Sequence, residues 1–513
     1  MAASSPPHVP FEILGAIIGS LQAVGDTKAL AVCCLVNRAF NAASAPYLYK
    51  SICADLSSIW GRTEKTHKSE RYTALVSASL PHNRRRVRVV TISGRLAIGW
   101  DVTNNLTPPG ILIDAFEKFT HLESVNCIVE GQLQIDPALG AIKTQTFSQM
   151  WDIIKNLSTI REIVVRWDHI APVDPALLKQ LVKPELLKLT LFGSFDSVDH
   201  LANCFGSTPM ALSVLRFRVR YYSVVDYRTS GKLDRLIDIL GRPTSTLRNL
   251  KVLRLGLLDT SLSDETLFRS LAQLPQLEDL CLEYEIDDEL ESPYDPMHSY
   301  ITPIKTFPFL TKLRRFTLRY SYFLEPSLAI GKVCTWIKHV ISRCPLEELS
   351  FVPFYDMRTW NPLSKPSWDI LLDHLTDKHA KTLKSLDLRA AFVKKRSLKR
   401  LLDKCVLLEH LAIGTTRGSI HTFVRYSSNL RHLRRVEFEL RTLKRGINAT
   451  CAKDEEVESM LRSAPNLRRV VINEHHWLGT WVLEEGELKY SISKLSGRQL
   501  PYSDNDDSIW GDR

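Results

Sequence analysis

Residues 344–351 read CPLEELSF, residues 274–282 LPQLEDLCL, residues 405–413 CVLLEHLAI and residues 464–472 APNLRRVVI. All four share one spacing: an apolar residue, two others, a second apolar residue, one other, a third apolar residue. The closing alternation is that of a short strand with every second side chain turned inward. Working outward, the same spacing starts at Val87, Leu122, Ile160, Leu186, Leu212, Leu250, Leu277, Leu313, Leu346, Leu383, Leu408, Leu433 and Leu467. The copies before Leu250 are the weaker ones, and the steps average about 32 residues, a repeat period in the range of stacked α/β units. Between copies the apolar residues take helical spacing, at 231–240, 263–271, 327–341, 367–375, 397–405 and 454–461. A strand and helix of this size cannot bury their apolar sides alone and must stack on the next pair.

Composition supports an ordered chain. Of 513 residues, 44% are hydrophobic and 24% charged, which excludes a mainly disordered protein. No apolar run reaches the roughly 18 to 20 residues that span a bilayer; the nearest, 11–24, is short and carries Glu12. The N-terminus lacks the basic and apolar regions of a secretory signal, so a reducing compartment, cytoplasmic and/or nuclear, is expected. Ten cysteines form no CxxC pair and read as small buried hydrophobes. No Walker loop, GxGxxG, GxSxG or HExxH occurs, which argues against the common enzyme classes and against a bound cofactor.

Through Cys344-Pro345-Leu346-Glu347-Glu348-Leu349 and its counterparts, residues 85–475 resemble the leucine-rich repeat family, in its cysteine-containing form. The family's asparagine, three residues after the third apolar position, is replaced by Leu258, Glu285, Ser321, Ala391 and Arg441, so the repeats are degenerate. The resemblance implies an α/β solenoid with parallel strands on a concave face and helices on the convex face. A doubly wound parallel sheet is the competing arrangement, and the missing nucleotide loop counts against it.

Ahead of the repeats, Pro10 stands at a helix start, and Ile13, Leu14, Ile17, Ile18 and Leu21 form one apolar stripe. Asp26 reads as the N-cap of a second helix, and a third follows Asn37 until Pro46 ends the pattern. Pro10-Phe11-Glu12-Ile13-Leu14, Leu35-Val36-Asn37-Arg38-Ala39-Phe40 and Pro46-Tyr47-Leu48-Tyr49 resemble the F-box family over residues 8–50. Val9 and Phe40 replace the family's usual leucine and tryptophan. The resemblance implies docking of the Skp adaptor of a cullin-RING ubiquitin ligase through Pro10, Ile13, Leu14, Ile17, Leu21, Leu30, Val36 and Phe40. The plainer reading is an N-terminal cap sealing the repeats.

The net charge of +10 is unevenly spread. Residues 381–445 hold 17 Lys/Arg against 5 Asp/Glu, whereas 264–295 hold 11 Asp/Glu against one Arg. Strand positions between and just after the last two apolar residues face the concave side in such a solenoid. Arg216, Arg254, Arg319 and Arg389 at these positions are expected to contact an acidic or phosphorylated segment of a target. The run 394–400, KKRSLKR, lacks the interleaved aromatics of a nucleic-acid surface and reads as a solvated helix. His475-His476 beside Glu474 has no third ligand at a recognised spacing, so no metal site is expected.

The expected organisation is an F-box module at 8–50, a linker and helical connection at 51–84, repeats at 85–475, a hairpin cap at 476–496 and an acidic tail at 497–513 in which Trp510 could dock back. The order implies a non-catalytic substrate receptor of a Skp-cullin-F-box ligase, binding an adaptor and a target protein but neither membrane nor nucleic acid. The alternative is an F-box scaffold without ligase activity. A hydrolase or transferase would need acid, base and nucleophile within reach of one another.

Overall fold

The computed structural model describes residues 10–23, 26–55, 73–96, 108–131, 148–167, 182–193, 203–205, 210–219, 236, 240, 247–258, 270–286, 310–322, 334, 337–353, 368–440, 452–473, 475–484 and 487–495. The chain divides into two compact units, 1–214 with 219–222, and 215–218 with 223–513. The first opens with helices α1 (Phe11–Ala23), α2 (Thr27–Val36) and α3 (Arg38–Leu48). Asp26 caps α2 by accepting from Ala29 N–H at 2.9 Å, and Asn37 caps α3 by accepting from Phe40 N–H at 3.0 Å. Pro46 lies inside α3, two residues before its end, and does not stop it. Leu14, Ile18, Leu30 and Ala43 form the core of this three-helix module, with Leu21, Cys33, Phe40, Tyr47 and Leu48 packed around them.

Strands β1 (Ser51–Asp55), β2 (Val89–Leu96), β3 (Ser124–Gly131), β4 (Glu162–Trp167) and β5 (Lys188–Gly193) follow, each parallel to the one before. Helices α4 (Thr73–Ala78) and α5 (Pro108–Lys118) lie among them in the chain. β1 falls in the segment expected as a linker. Strand β6 (Val214–Val219) carries the boundary between the two units.

The second unit continues with β7 (Val252–Leu258), β8 (Asp279–Ile286), β9 (Arg315–Tyr322), β10 (Glu348–Pro353), β11 (Ser385–Phe392), β12 (His410–Thr415), β13 (Arg435–Leu440) and β14 (Arg469–Ile472). From β7 to β9 and from β9 to β14 the pairings are parallel. In the complete strand order each strand neighbours its predecessor and successor in a mostly parallel, open sheet of 16 strands. Nothing here follows the crossed order of a doubly wound sheet. Helices α6 (Asp369–His374), extended by a π-helical turn at Leu375–His379, α7 (Lys395–Lys404), α8 (Gly418–Tyr426) and α9 (Asp454–Ser463) alternate with the later strands. Leu398, Leu401, Phe423, Val457 and Met460 on these helices are buried, and Phe423 packs edge-on against Phe438 of β13 at 5.7 Å. The second and third apolar positions of the repeats in this unit are almost completely buried, each contributing about 1.5 to 3 kcal/mol of transfer free energy.

One backbone device repeats through both units. The carbonyl just before each strand accepts two N–H groups from the start of the next: Lys50, Arg88, Glu123, Arg161 and Leu187 in the first unit, and Lys251, Glu278, Arg314, Glu347, Lys384, Glu409, Arg434 in the second. The carriers of these carbonyls alternate in charge from Lys251 to Arg434. Lys251 lies 4.0 Å from Glu278, Arg314 2.8 Å from Glu347, and Lys384 2.7 Å from the same Glu347.

After β14 the chain reverses at Asn473, which adopts φ 45° and is the residue type after glycine that tolerates the left-handed region best. Its Oδ1 accepts from Leu440 N–H at 2.7 Å, tying the turn to β13. β15 (His475–Glu484) then pairs antiparallel with β14, and β16 (Glu487–Leu495) antiparallel with β15. The acidic tail and Trp510 lie outside the described residues.

Candidate interaction surfaces

The helical module leaves several large apolar side chains exposed. Ile13, Ile17, Val32, Leu35 and Val36 are all about half exposed or more, and Leu35 reaches 86%. Among the residues expected to dock an adaptor, Pro10, Ile13, Ile17 and Val36 are exposed. Leu14 and Leu30, each at 2%, belong to the module's own core, and Leu21 and Phe40 are half-buried against it. Val32 and Leu35 were not singled out from the sequence, although the i, i+3, i+4 spacing of Val32, Leu35 and Val36 places them on one stripe of α2.

In the second unit the outward sheet face carries two charge clusters. Around β8, Arg218 donates through both Nε (3.0 Å) and Nη2 (2.7 Å) to Oε1 of Glu283. The bridge runs from β6 to β8, past β7, where the register shifts between Leu255 and Leu258 and Gly256 occupies the bulge. A Cβ at Gly256 would lie 2.4 Å from Arg218 Cγ and 3.2 Å from its Cα, so only glycine leaves this passage open. Glu283 is fully buried, and its Oε2 has no hydrogen-bond partner. Burial raises its carboxyl and outweighs Arg218 and Arg319, which lower it, so that it is pushed up to about 7. Nearby, Asp279 receives Arg254 Nη2 at 3.0 Å and Arg315 Nε at 3.2 Å.

Around β13 the pattern recurs with a different outcome. Arg389 leaves β11 at a register shift, binds Asp387 through Nη2 at 2.8 Å and reaches Glu437 Oε2 at 3.3 Å, past β12, where Ala412 stands opposite Glu437. Oε1 of Glu437 is engaged by Arg435, and His410 Nε2 lies 3.6 Å away. Burial works against ionisation of Glu437, but the nearby His410 ring and the charges of Arg389 and Arg435 prevail and hold it at about 2. Of the four arginines expected to touch a target, Arg254 and Arg389 are thus in ion pairs with acids of the same face. Arg216 and Arg319 are half-buried on β6 and β9.

Ser385, His410 and Glu437 sit on three successive strands, and Ser385 Oγ shares a 3.3 Å hydrogen bond with His410 Nδ1. This brings nucleophile, base and acid together, but Glu437 is already neutralised by two guanidiniums. The neighbouring Lys384, Ser385, Glu409 and His410 N–H groups are spent on the sheet carbonyls, which leaves none of them for an oxyanion. Part of the basic run at the start of and along α7 is engaged laterally: Lys394 binds Asp369 at 2.8 Å, Arg400 binds Asp373 and Asp377, and Lys404 binds Asp377 at 3.0 Å. His476 Nδ1 lies 2.9 Å from Arg469 Nη2. Among the described residues no group of three or more His, Cys, Asp or Glu could hold a metal, and no helix is long and apolar enough to cross a membrane.

No family model and no curated protein matches the chain. Among solved structures it is similar to the Rad7 and Elc1 complex of yeast, at 14% identity over 90% of this chain and 88% of that chain, with a TM-score of 0.37. A likeness this slight does not carry function from one chain to the other.

Proposed function

We propose that this chain is a non-catalytic substrate-recognition subunit of a Skp-cullin-F-box ubiquitin ligase, acting in the cytoplasm and/or nucleus. The three-helix module is its F-box and docks the Skp adaptor; the outward sheet face of the second unit holds the target protein. Ubiquitin transfer is done by the assembled ligase, and this subunit contributes effective concentration. The observation that carries the reading is the set of apolar side chains, Ile13 and Ile17 on α1 and Val32, Leu35 and Val36 on α2, left exposed on a module that already has its own core. Apolar side chains gathered at this density on a surface mark a docking site.

The test is binding of purified full-length chain to purified Skp adaptor. Ile17→Asp/Leu35→Asp changes only exposed positions, so its circular dichroism should match wild type while adaptor binding falls by at least a hundredfold. Leu14→Asp would strike the core and lose the fold instead. Wild-type chain that ignores the adaptor, or a folded double variant that still binds it, refutes the F-box reading.

A further inference from the structure

Between α6 and α7 opposite charges are matched, since Lys394, Arg400 and Lys404 reach Asp369, Asp373 and Asp377. On its other side α7 packs against α8, and there the cations meet no acid. From Gly418 to Arg434, α8 and the turn after it contain no acidic residue. Lys395, Arg396 and Lys399 on α7 and Arg425 on α8 are exposed, and among the described residues none of them has an ion pair. Asp403, one turn beyond Lys399 on α7, binds none of them.

This arrangement is unfavourable for the protein on its own. Lys395 and Lys399 are like charges four residues apart on one helix, a spacing at which they repel. A Cβ at Gly418 would fall 2.5 Å from Lys395 Nζ. The ammonium therefore lies against the first residue of α8, at the end of a helix dipole that disfavours cations. At the far end of α8, Lys399 Nζ stands 4.7 Å and Arg425 Cζ 5.5 Å from the centre of the Tyr426 ring. His421 lies between, exposed on the stripe of α8 that joins Gly418 to Arg425.

We propose that the α7/α8 face docks an acidic segment of a partner protein, a run of consecutive Asp or Glu residues lying across the two helices. Gly418 to Arg425 spans about 10 Å of helix, and extended peptide advances about 3.3 Å per residue. Three or four acidic residues thus match the unpaired cations in number and spacing. Single-stranded nucleic acid fits less well, because it relies on aromatic faces open to stacking bases, and the Tyr426 ring already holds Lys399 and Arg425. The surface belongs to the helices of the second unit, so it is a contact in addition to the sheet face and independent of the adaptor.

Fluorescence anisotropy on the full-length chain, without adaptor, tests this with fluorescein-labelled hexaglutamate as the probe and a labelled oligothymidylate as its rival. Hexaglutamate should bind the wild type, with affinity falling about tenfold or more between about 50 and about 200 mM salt. Lys395→Gln/Lys399→Gln should weaken binding by about tenfold or more, while its melting temperature stays level or rises as the repulsion is relieved. Lys28→Gln/Arg85→Gln removes the same charge from exposed positions of the first unit and should bind as the wild type does. That control separates this face from the general attraction of a chain with net charge +10. Three results overturn the proposal: wild-type chain that ignores hexaglutamate, equal loss in both double variants, or tighter binding of the oligothymidylate that Lys395→Gln/Lys399→Gln abolishes. None of them touches the adaptor test above.

Discussion

Glu283 and Glu437 are the same residue type, both buried on the same sheet face, and each is reached by an arginine from two strands earlier at a break in register. One carboxyl is pushed up to about 7 and the other held at about 2. Burial alone cannot separate them. The difference lies in how many donors meet the two oxygens: Arg218 serves only Oε1 of Glu283, whereas Arg435 and Arg389 take one oxygen each of Glu437, with His410 Nε2 3.6 Å from Oε1. Donors aimed at the ionised form decide its pKa once water is gone. The neighbours on the intervening strand matter too, since Gly256 and Ala412 leave room for the arginine to pass.

Three variants break or sharpen this comparison. Glu437→Gln removes the counter-charge that Arg435 shares with Arg389, which keeps Asp387, and should cost about 3 kcal/mol in urea unfolding at pH 7, the low end of the range for removing one partner of a buried ion pair. Gly256→Ala forces Arg218 and its backbone away and should cost about 1 to 3 kcal/mol, the range for overpacking, with the melting temperature falling accordingly. Glu283→Gln should have the smallest effect and one that depends on pH. Its folded-state pKa lies above the ordinary 4.5, so the wild type loses stability as pH rises from about 4.5 through about 7; Glu437, depressed, contributes stability above 4.5 that is lost as pH falls toward 2. The stability of Glu283→Gln relative to wild type should rise by about 1 kcal/mol or more between pH 5 and pH 8. The difference is the quantity to measure, because His374 and His379, pushed down to about 4 chiefly by burial, give both proteins the opposite slope between about 4 and 6.5. A flat difference curve would mean that the unbonded oxygen of Glu283 is irrelevant.

The strands were legible because each repeat announces itself with three apolar residues at fixed spacing, and Val87 to Leu467 mark β2 to β14. β1 escaped notice because its third apolar position is Ala54, too small to register in the pattern. The Arg218–Glu283 bridge was illegible for a different reason: 65 residues separate its ends, and only the glycine after Leu255, unusual within a strand, hinted at a crossing. In the helical module the spacing identified apolar stripes but not their sides. A unit of three short helices has apolar residues on both, so Leu14 and Leu35 look alike until the packing is known. Charge counts hid the pairing across repeats, since several cations of 381–445 are bridged to acids outside that window, as Arg400 is to Asp373 and Asp377.

The row of alternating charges before the strands, from Lys251 to Arg434, gives the array a parity. Deleting one internal unit would bring two lysines or arginines, or two glutamates, side by side along that row, with like-charge repulsion where there had been attraction. Deleting or duplicating two adjacent units would restore the alternation. The length of this half of the molecule can therefore change cheaply only in steps of two repeats, and a homologue that differs by one should show a charge reversal at the joint.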